Sequence, residues 1–391
     1  MKILYTGTLD VNFGGPAFST YNSMRGLNKI GIEAHLLMYE LGKNERLIGD
    51  DVPIHFAKKP WEHFFAYSPF YKKAIKKCGD FDIYQAQGIW LYHSFALVDV
   101  AKSLGKPYLI TPRGMLYPQD IAKSKPLIKR MFLKWRLLND LNRAACVHVT
   151  CEDEMNHCRN LGVTSPIAIV PNPVEIKEYP NAKKDDVFRL GYLGRISRRK
   201  NVEGLIYAWS MLGDKVNENA ELLIIGGGDD EYMAFLKAEV ARLHLSNVRF
   251  TGFISGQEKE DALASLSVLA MPSEFENFGN VIVEGLVRGI PCIATTGAPW
   301  KDLVVYQCGW WVEYSQKAIT NAVKAALETP AEELLAMGER GKQLMKDKYS
   351  IEAVAEQMKE VYEWILHKSM QPAFVHTLTP EMGGGKMERR I

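Results

Sequence analysis

Apolar and polar positions follow two different periods along this chain, and the two periods alternate. Short apolar runs end at glycine, proline or asparagine, as buried parallel strands do. Between them lie longer stretches with apolar residues at three- and four-residue steps, the period of an amphipathic helix. The predicted strands are 2–6, 33–38, 80–86, 108–111, 146–150, 167–170, 188–193, 222–225, 248–251, 267–271 and 291–295. Strands alternating with helices indicate an α/β fold with parallel sheets.

The strand series is interrupted once, at 174–186, where lysines and aspartates replace the apolar runs. Such a polar segment is typical of a linker. We therefore expect a first domain at 1–173 and a second at 187–350, each large enough to bury a core. The stretch 351–367 predicts a long amphipathic helix, and the polar residues 368–391 predict a frayed tail.

The first predicted strand leads through a glycine turn into a helix, and a second strand follows. This opening is typical of doubly wound, Rossmann-like sheets. Gly14 and Gly15 in the turn would let backbone N–H groups approach a ligand closely. A tight structural turn explains either glycine alone equally well. The spacing is not G-x-G-x-x-G, so the dinucleotide fingerprint of a dehydrogenase is absent.

Composition places the chain among globular proteins, with 47% hydrophobic and 24% charged residues. No apolar run approaches the roughly 18 residues of a membrane span, and the first residues do not resemble a signal peptide. The six cysteines follow no disulfide-scaffold spacing, so we expect a reduced, cytoplasmic protein. One group of residues has cysteine and histidine close together: Cys146, His148, Cys151, His157 and Cys158. Most of these residues lie within a predicted strand and the predicted helix that follows it, which favours buried core cysteines over a zinc site.

Charge is distributed unevenly between the two halves. Residues 1–171 hold 22 of the 48 basic and 15 of the 46 acidic residues, which leaves 26 and 31 for the remainder. Two segments of the basic half, 58–78 and 123–136, mix lysines with aromatic residues. Such helices suit an anionic membrane surface. The pattern alone also fits nucleic acid or a solvated basic face; of these partners we predict peripheral contact with the cytoplasmic membrane face rather than nucleic acid.

Two carboxylates stand at fixed places in the strand–turn–helix–strand unit of residues 271–295. Glu276 lies just before the predicted helix 280–288, and Glu284 lies eight positions later, about two turns along if the helix starts near Phe278. The helix N-terminus between them offers unpaired N–H groups and a partial positive charge, which suit a phosphate. As an isolated pair, the two glutamates more often belong to an ordinary surface helix.

A second group of candidate residues follows predicted strand ends elsewhere. Arg195 and Lys200 belong to a burst of cations after a strand and a glycine, which makes an anion trap before a helix. Gln87 and Arg113 each follow a strand of the first domain, where α/β sheets bind ligands. His93 lies on the next predicted helix, where a histidine is more often structural.

The segment PSEFENFGNVIVEGLVRGIPCIAT resembles the signature of retaining glycosyltransferases of the large GT-B family 4, or group 1, type. GRISRRKN from Gly194 resembles the basic loop of the same family. The run PRGML around Arg113 resembles a loop of the subgroup that acts on bacterial surface polysaccharides. Three positions depart from the family: Gly285 replaces alanine, Gln87 replaces histidine, and Pro173 replaces glycine.

The resemblance implies two Rossmann-like domains that face each other across a cleft. It also implies transfer of a sugar from a UDP-, GDP- or ADP-sugar to a hydroxyl of a glycan or lipid-linked acceptor, with retention and without a metal or other cofactor. Glu276, Arg195 and Lys200 would be catalytic. The donor would contact Gly14, Gly15, Asn277, Phe278, Gly279, Asn280 and Glu284. The acceptor or its sugar would contact Gln87, His93 and Arg113.

Two rival functions remain open from the sequence. A nucleotide-sugar epimerase or hydrolase of the same fold would use the same donor site. A catalytically idle subunit of this fold would bind only a partner or the membrane. The simultaneous presence of Glu276, Glu284, Arg195 and Lys200 favours an active enzyme over an idle subunit.

Overall fold

The computed structural model describes residues 1–43, 45–59, 65–123, 125–179, 186–213, 216, 219–276 and 278–378. Several features of the sequence analysis fall wholly or partly outside these ranges: the predicted donor residue Asn277, parts of both basic-aromatic segments, part of the predicted linker, and the end of the predicted tail. The chain divides into two compact units. Unit 1 comprises residues 1–175 and the residues from Lys348 onward, and unit 2 comprises Ile176–Asp347.

Strands of both units alternate with helices. Within the described residues the strands are β1 (Lys2–Thr6), β2 (Glu33–Tyr39), β3 (Ile54–Ala57), β4 (Ile83–Gln87), β5 (Tyr108–Thr111), β6 (Cys146–Val149), β7 (Ile167–Ile169), β8 (Phe188–Leu193), β9 (Ala220–Ile225), β10 (Val248–Gly252), β11 (Val268–Met271), β12 (Cys292–Thr295), β13 (Gly309–Val312) and β14 (Val375–His376). The α-helices there are α1 (Gly15–Lys29), α2 (Tyr71–Lys77), α3 (Tyr92–Ser103), α4 (Pro118–Lys123), α5 (Pro126–Phe132), α6 (Leu138–Asn142), α7 (Glu152–Asn160), α8 (Val202–Ser210), α9 (Asp230–Arg242), α10 (Gly256–Ala264), α11 (Asn280–Leu286), α12 (Asp302–Val305), α13 (Gln316–Glu328), α14 (Ala331–Leu344) and α15 (Ile351–Ile365).

Each unit is built on one doubly wound sheet. The sheet of unit 1 has the order β14-β7-β6-β5-β4-β1-β2-β3, and all neighbours are parallel except β14 and β7. The sheet of unit 2 has the order β10-β9-β8-β11-β12-β13 and is parallel throughout. The predicted α/β class with two Rossmann-like domains is therefore confirmed.

Strand order defines one special position in each sheet. The chain winds to one side of β1 through β2 and β3 and to the other side through β4, so the direction changes between β1 and β4. In unit 2 the same change occurs between β8 and β11. Loops that leave neighbouring strands in opposite directions at such a point open a crevice at the carboxyl edge, where ligands of this fold class bind.

Alternate residues of the central strands enter cores on opposite faces of the unit 1 sheet. Leu4 of β1 packs with Leu37, Ile110 and residues of α3, whereas its neighbour Ile3 packs on the face covered by α1 and α15. This two-residue period, with both faces buried, is the reason why the strands read as continuous apolar runs.

Several elements differ from the prediction. The supposedly frayed tail contains β14, in which Val375 pairs with Ala168 and the carbonyl of His376 accepts a hydrogen bond of 2.8 Å from Arg159. A two-residue strand is too short to show a period. Helix α11 ends at Leu286 instead of residue 288, and β3 and β13 were not predicted.

Candidate active site

The predicted catalytic residues of unit 2 lie at the carboxyl edge of its sheet, where the winding direction changes. The loop 194–201 follows β8, and the loop 272–279 follows β11; β8 and β11 are neighbours in register, with Leu190 opposite Val268. The loops after β8 and β9 also touch. A Cβ on Gly226 would lie 1.9 Å from the carbonyl oxygen of Gly194, so only glycine permits this approach.

Lys200 and Glu276 form an ion pair that joins the two loops. Lys200 Nζ contacts Glu276 Oε1, and both side chains are mostly buried. A second link is the hydrogen bond that the N–H of Glu274 donates to the carbonyl of Arg199, at 2.9 Å. The structure therefore brings together two of the three residues that were predicted to be catalytic, although 75 residues separate them in the chain.

Arg195 lies on the same loop and is exposed. Its main chain is fixed, because the hydroxyl of Tyr192 donates a hydrogen bond of 3.0 Å to its carbonyl oxygen. Burial, with a smaller contribution from Glu276, raises the pKa of the Tyr192 phenol, so this donor keeps its proton at neutral pH. In the described part of the chain the guanidinium makes no ion pair, and its charge is available at the edge of the sheet.

The loop that carries Glu276 is held in place by the segment after β12. The N–H of Glu276 donates to the carbonyl of Gly297 at 2.7 Å. The hydroxyl of Thr295 donates to the carbonyl of Ser273. The indole N–H of the fully buried Trp300 donates to the carbonyl of Phe278 at 2.5 Å. Sequence analysis gave these three supporting residues no role, because each acts on a residue about 20 positions away.

The predicted donor residues Phe278, Gly279 and Asn280 lead into α11. Gly279 has φ of +82°, and a Cβ there would lie 2.7 Å from Met271 Cε. Phe278 packs its ring against Trp300 with 5.4 Å between the centroids. Because α11 spans only seven residues, its dipole is a smaller source of positive charge than the sequence suggested.

Glu284 is paired with a residue that the sequence did not single out. Lys259 on α10 approaches Glu284 Oε2 to 2.5 Å, and both side chains are about one-third exposed. Arg288, one turn further, donates to the carbonyl of Glu284 at 2.8 Å and to both carboxylate oxygens of Glu260 at 2.8 and 2.9 Å. Glu284 is therefore held at the surface of α11 and remains accessible.

The departure at Gly285 has a packing explanation. This glycine is buried, and a Cβ added to it would lie 2.6 Å from Cys292 Sγ and 3.0 Å from Leu269 Cδ2. Here α11 is pressed against β11 and β12 too closely for alanine without a shift. The close contact fixes the distance of α11 from the sheet and thereby the position of Glu284.

The three predicted acceptor residues of unit 1 line one cavity of about 280 Å³. Gln87 ends β4, His93 lies in the first turn of α3, and Arg113 follows β5, so the cavity lies where the winding direction changes between β1 and β4. Gly14 and Gly15 lie at the start of α1, whose first turn contributes Pro16 and Ala17 to the same wall. Burial lowers the pKa of His93 to about 4, so this imidazole is neutral at pH 7 and a weak base.

Arg113 is almost completely buried, and its φ of +58° is unusual for a residue with a side chain. Its Nε donates to Gln87 Oε1 at 2.9 Å, and its Nη1 donates to Ser19 Oγ at 2.6 Å and to Asn172 Oδ1 at 2.5 Å. The residue thus connects β4, α1 and the segment after β7. Loss of solvent lowers its pKa to about 10, which leaves it charged at neutral pH.

Cysteine and histidine do not converge on a metal site in the described residues, where no group of three suitable ligands occurs. Cys146 and Cys158 are fully buried, and their sulfurs are free of disulfides. Burial raises the pKa of both thiols, which keeps them protonated. The prediction of core cysteines therefore fits both residues.

Family models match most of the chain. Residues 13–178 match "Glycosyltransferase Family 4", and residues 174–344 match "Glycosyl transferases group 1". The second match contains both Lys200 and Glu276. The chain belongs to the group 1 glycosyltransferases. The family predicted from the signature residues, the group 1 glycosyltransferases of GT-B type, is thus confirmed.

Curated relatives of this group 1 glycosyltransferase are distant and match only in part. An uncharacterized glycosyltransferase of Methanocaldococcus jannaschii is 26% identical over 168 residues, which are 42% of this chain and 37% of that protein. The capsular polysaccharide biosynthesis glycosyltransferase CapM of Staphylococcus aureus is 26% identical over 189 residues, 47% of this chain and 48% of that protein. The matches thus span about half or less of these relatives.

Solved structures share the GT-B fold over nearly the full length. Sucrose-phosphate synthase from Thermosynechococcus elongatus has a TM-score of 0.70 and 20% identity, and it covers 94% of this chain and 100% of its own. The Anabaena protein HepE, solved with UDP and glucose, has a TM-score of 0.67 and 16% identity over 93% of this chain and 100% of its own. At this identity the likeness concerns the fold.

Proposed function

We propose that this group 1 glycosyltransferase moves a sugar from a nucleotide-sugar donor to a hydroxyl of a glycan or lipid-linked acceptor, with retention of the anomeric configuration. The observation that carries the proposal is the Lys200–Glu276 pair at the carboxyl edge of the unit 2 sheet, with the exposed Arg195 on the same loop. This position is where α/β sheets bind nucleotides.

The charges in the site match the two halves of a nucleotide-sugar. The diphosphate accepts hydrogen bonds and is anionic, so it competes with Glu276 for Lys200 and attracts Arg195. Once Lys200 turns to the phosphate, the Glu276 carboxylate is free to accept hydrogen bonds from sugar hydroxyls. One ion pair in the free protein thus supplies a ligand for each half of the donor.

The same cations stabilise the step that breaks the glycosidic bond. As the sugar becomes oxocarbenium-like, negative charge develops on the departing diphosphate. Lys200 and Arg195 face that charge from a partly buried loop, and fixed charges are most effective where water is excluded. We assign them the role that a divalent ion has in other sites, which makes the proposed reaction metal-independent. Glu284 would hold the ribose hydroxyls.

A general base is absent from this scheme. His93 in unit 1 has a pKa of about 4 and is a poor proton acceptor from a hydroxyl. The leaving phosphate itself would accept the proton of the acceptor hydroxyl. Such a step on one face of the sugar is compatible with retention.

Surface polysaccharide is the proposed destination of the sugar. It is supported by the similarity to CapM, whose name places that protein in capsular polysaccharide biosynthesis, and by the PRGML run around Arg113. The cytoplasm would be the compartment, since nucleotide-sugars are intracellular metabolites. The sugar, the base and the linkage are left to experiment.

Peripheral membrane contact belongs to the proposal as well, through the continuous helical segment 126–142. Leu127, Met131 and Trp135 lie four residues apart on one stripe and are 78%, 67% and 79% exposed. Lys134 and Arg130 flank the stripe, so the face combines exposed apolar groups with positive charge, as interfacial helices do. None of the helices in the described residues has both the length and the hydrophobicity that crossing a bilayer requires.

The test is a donor screen followed by product analysis. Purified protein is mixed with UDP-, GDP- and ADP-sugars, and thermal stabilisation identifies the donor, because a bound ligand raises the apparent stability. Transfer to a glycan acceptor is then followed with and without EDTA, and the anomeric configuration is read by NMR. An inverted product would contradict the retaining mechanism. Equal turnover of donor without acceptor would instead favour the epimerase or hydrolase.

A further inference from the structure

The cavity of unit 1 carries a single formal charge on its wall. Of the residues that line it, all within the described part of the chain, Arg113 is charged and no aspartate or glutamate is present. His93 contributes a neutral imidazole. The formal charge of the lining is therefore positive.

The charge of Arg113 is not balanced by its own hydrogen bonds. Its partners Gln87, Ser19 and Asn172 are all neutral. The carboxylate of Glu154 acts on Arg113 through space, but its oxygens are occupied by the N–H of Gly114 and by the N–H and hydroxyl of Thr150. Buried cations in proteins are usually paired with an anion. Among the described residues that line the cavity no such anion is present.

Gln87 supplies a second feature that points to a ligand. It is 8% exposed, and its Oε1 accepts the hydrogen bond from Arg113 Nε. This bond fixes the amide, so Nε2 is directed away from Arg113 with two N–H donors. Among the described residues no acceptor for Nε2 is present, although the side chain lines the cavity. Two unused donors next to a buried cation are suited to an oxyanion.

Two helix N-termini add to the positive potential. Helices α1 and α3 both begin at the cavity, with Pro16 and His93 in their first turns. Neither helix has an acidic residue in its first turn, and neither is capped by a side chain. Most N–H groups of these first turns donate to backbone carbonyls, so it is chiefly the helix dipoles that favour negative charge nearby.

The size and the remaining walls restrict the ligand. A volume of about 280 Å³ is at the lower end for small-molecule sites and corresponds to about one sugar ring. Ile89, Trp90 and Met115 supply apolar surface against which the C–H groups of a ring can pack. Lys129 of the exposed helical segment lies over the Trp90 ring at 5.4 Å, so the cavity adjoins the surface proposed for the membrane.

From these observations we infer that the cavity binds the terminal residue of the acceptor and that this residue carries an oxyanion, a carboxylate or a phosphate. The inference rests on the proposed transfer function for naming the occupant as the acceptor. Arg113 and the Gln87 amide bind the anion, and the apolar wall packs on the ring. The acceptor would thus be recognised by its charge as well as by its hydroxyl.

The test uses the full chain and the substitution Gln87→Glu. The new carboxylate can still accept the bond from Arg113 Nε, so folding is retained, but it fills the place of the anion and removes both N–H donors. Gln119→Glu is the matched control, because it adds the same charge to an exposed position of unit 1 outside the cavity. Binding of inorganic phosphate, D-glucuronate and uncharged D-glucose is measured by calorimetry at constant ionic strength, without donor.

We expect phosphate or glucuronate to bind the wild type and Gln119→Glu alike, and to bind Gln87→Glu about tenfold more weakly or worse. Glucose should bind more weakly than glucuronate to the wild type and equally to all three proteins. Preference for glucuronate indicates a carboxylate-bearing acceptor, and preference for phosphate indicates a phosphate-bearing one.

Three results would overturn the inference: binding of neither anion, unchanged anion binding in Gln87→Glu, or displacement of the bound anion by UDP. The last result would assign the anion to the donor. These outcomes are separate from those for the proposed function, which fails if UDP does not bind at Lys200 whatever happens in the cavity of unit 1.

Discussion

The two candidate sites of this protein have the same position in the fold, but the main cation is paired with a carboxylate in one and hydrogen-bonded to neutral groups in the other. In unit 2, Lys200 forms an ion pair with Glu276 at the carboxyl edge between β8 and β11. In unit 1, Arg113 lies at the carboxyl edge between β1 and β4; its side-chain hydrogen-bond partners are neutral, and the buried Glu154 acts on it only through space. A shared topology therefore positions both sites, but side chains alone decide what each can bind.

This difference has a consequence for binding in each unit. A ligand of the unit 2 site must exchange one partner for another, so it has to offer both an anion for the lysine and hydroxyls for the glutamate. A nucleotide-sugar does so. A ligand of the unit 1 cavity needs only to add the missing negative charge. The four predictions that follow test this contrast, beginning with the largest effect.

Removing the cation of the paired site should have the largest effect. Lys200→Ala is expected to lower kcat by about 10²–10³, because one preorganised donor facing developing charge is worth about that much. Arg199→Ala is the control, since it removes an exposed cation from the same loop. Steady-state kinetics with saturating donor measure both. Turnover of Lys200→Ala close to that of the wild type would contradict the role of the pair.

Overpacking the floor of the unit 2 site should destabilise the protein by about 2 kcal/mol, within the usual range for an added methyl group. The change is Gly285→Ala, whose new Cβ would lie 2.6 Å from Cys292 Sγ. Gly227→Ala serves as the control, since nothing lies closer than 3.8 Å to its Cβ. Urea unfolding compares the two. Equal stabilities would show that α11 can shift freely.

Glu284→Ala should raise the donor KM by about tenfold and leave kcat almost unchanged. A ribose contact is made equally in the ground state and the transition state, so its loss weakens binding without slowing the chemical step. Glu258→Ala removes an exposed carboxylate from the helix that carries Lys259 and is the control. A fall in kcat with unchanged KM would assign Glu284 to the reaction itself.

Lowering the pH should reduce the stability of unit 1, because two of its histidines are buried and neutral. Burial lowers the pKa of His93 and of His148 from 6.5 to about 4, and the charge of Arg113 adds to the effect at His148. Below pH 6.5 the unfolded chain therefore binds more protons than the folded chain. The free energy of unfolding is highest above that pH and decreases as the pH falls towards 4. We expect a loss of about 1 kcal/mol per histidine at pH 5.5.

Urea unfolding at pH 7.5 and 5.5 measures this loss, and His148→Gln should reduce the difference. NMR of the histidine ring protons provides an independent check. If His148 titrated near pH 6.5, the burial of its ring and the smaller effect of Arg113 on its pKa would both be contradicted.

Much of this organisation could be predicted from the sequence because local patterns specify it. Apolar runs located β1, β8 and β11, and the residues after such strands are brought to one edge by any parallel sheet. That rule selected Gln87, Arg113 and the basic loop with Lys200 as candidates, and the family resemblance grouped Lys200 with Glu276.

The parts that could not be predicted depend on contacts between distant side chains. The bond from Trp300 to the carbonyl of Phe278 and the pairing of Lys259 with Glu284 leave no periodic signal in the sequence. The neutral hydrogen-bond partners of Arg113 are equally invisible there, since they come from three separate segments. Strand β14 was missed because two residues cannot show an alternation.

The most direct measurement is a crystal structure of the full chain with UDP. The account predicts that a phosphate oxygen lies within hydrogen-bonding distance of Lys200 Nζ, that Arg195 approaches the diphosphate, and that the contact between Lys200 and Glu276 is broken. UDP bound with that ion pair intact, or bound away from the loop 194–201, would contradict it.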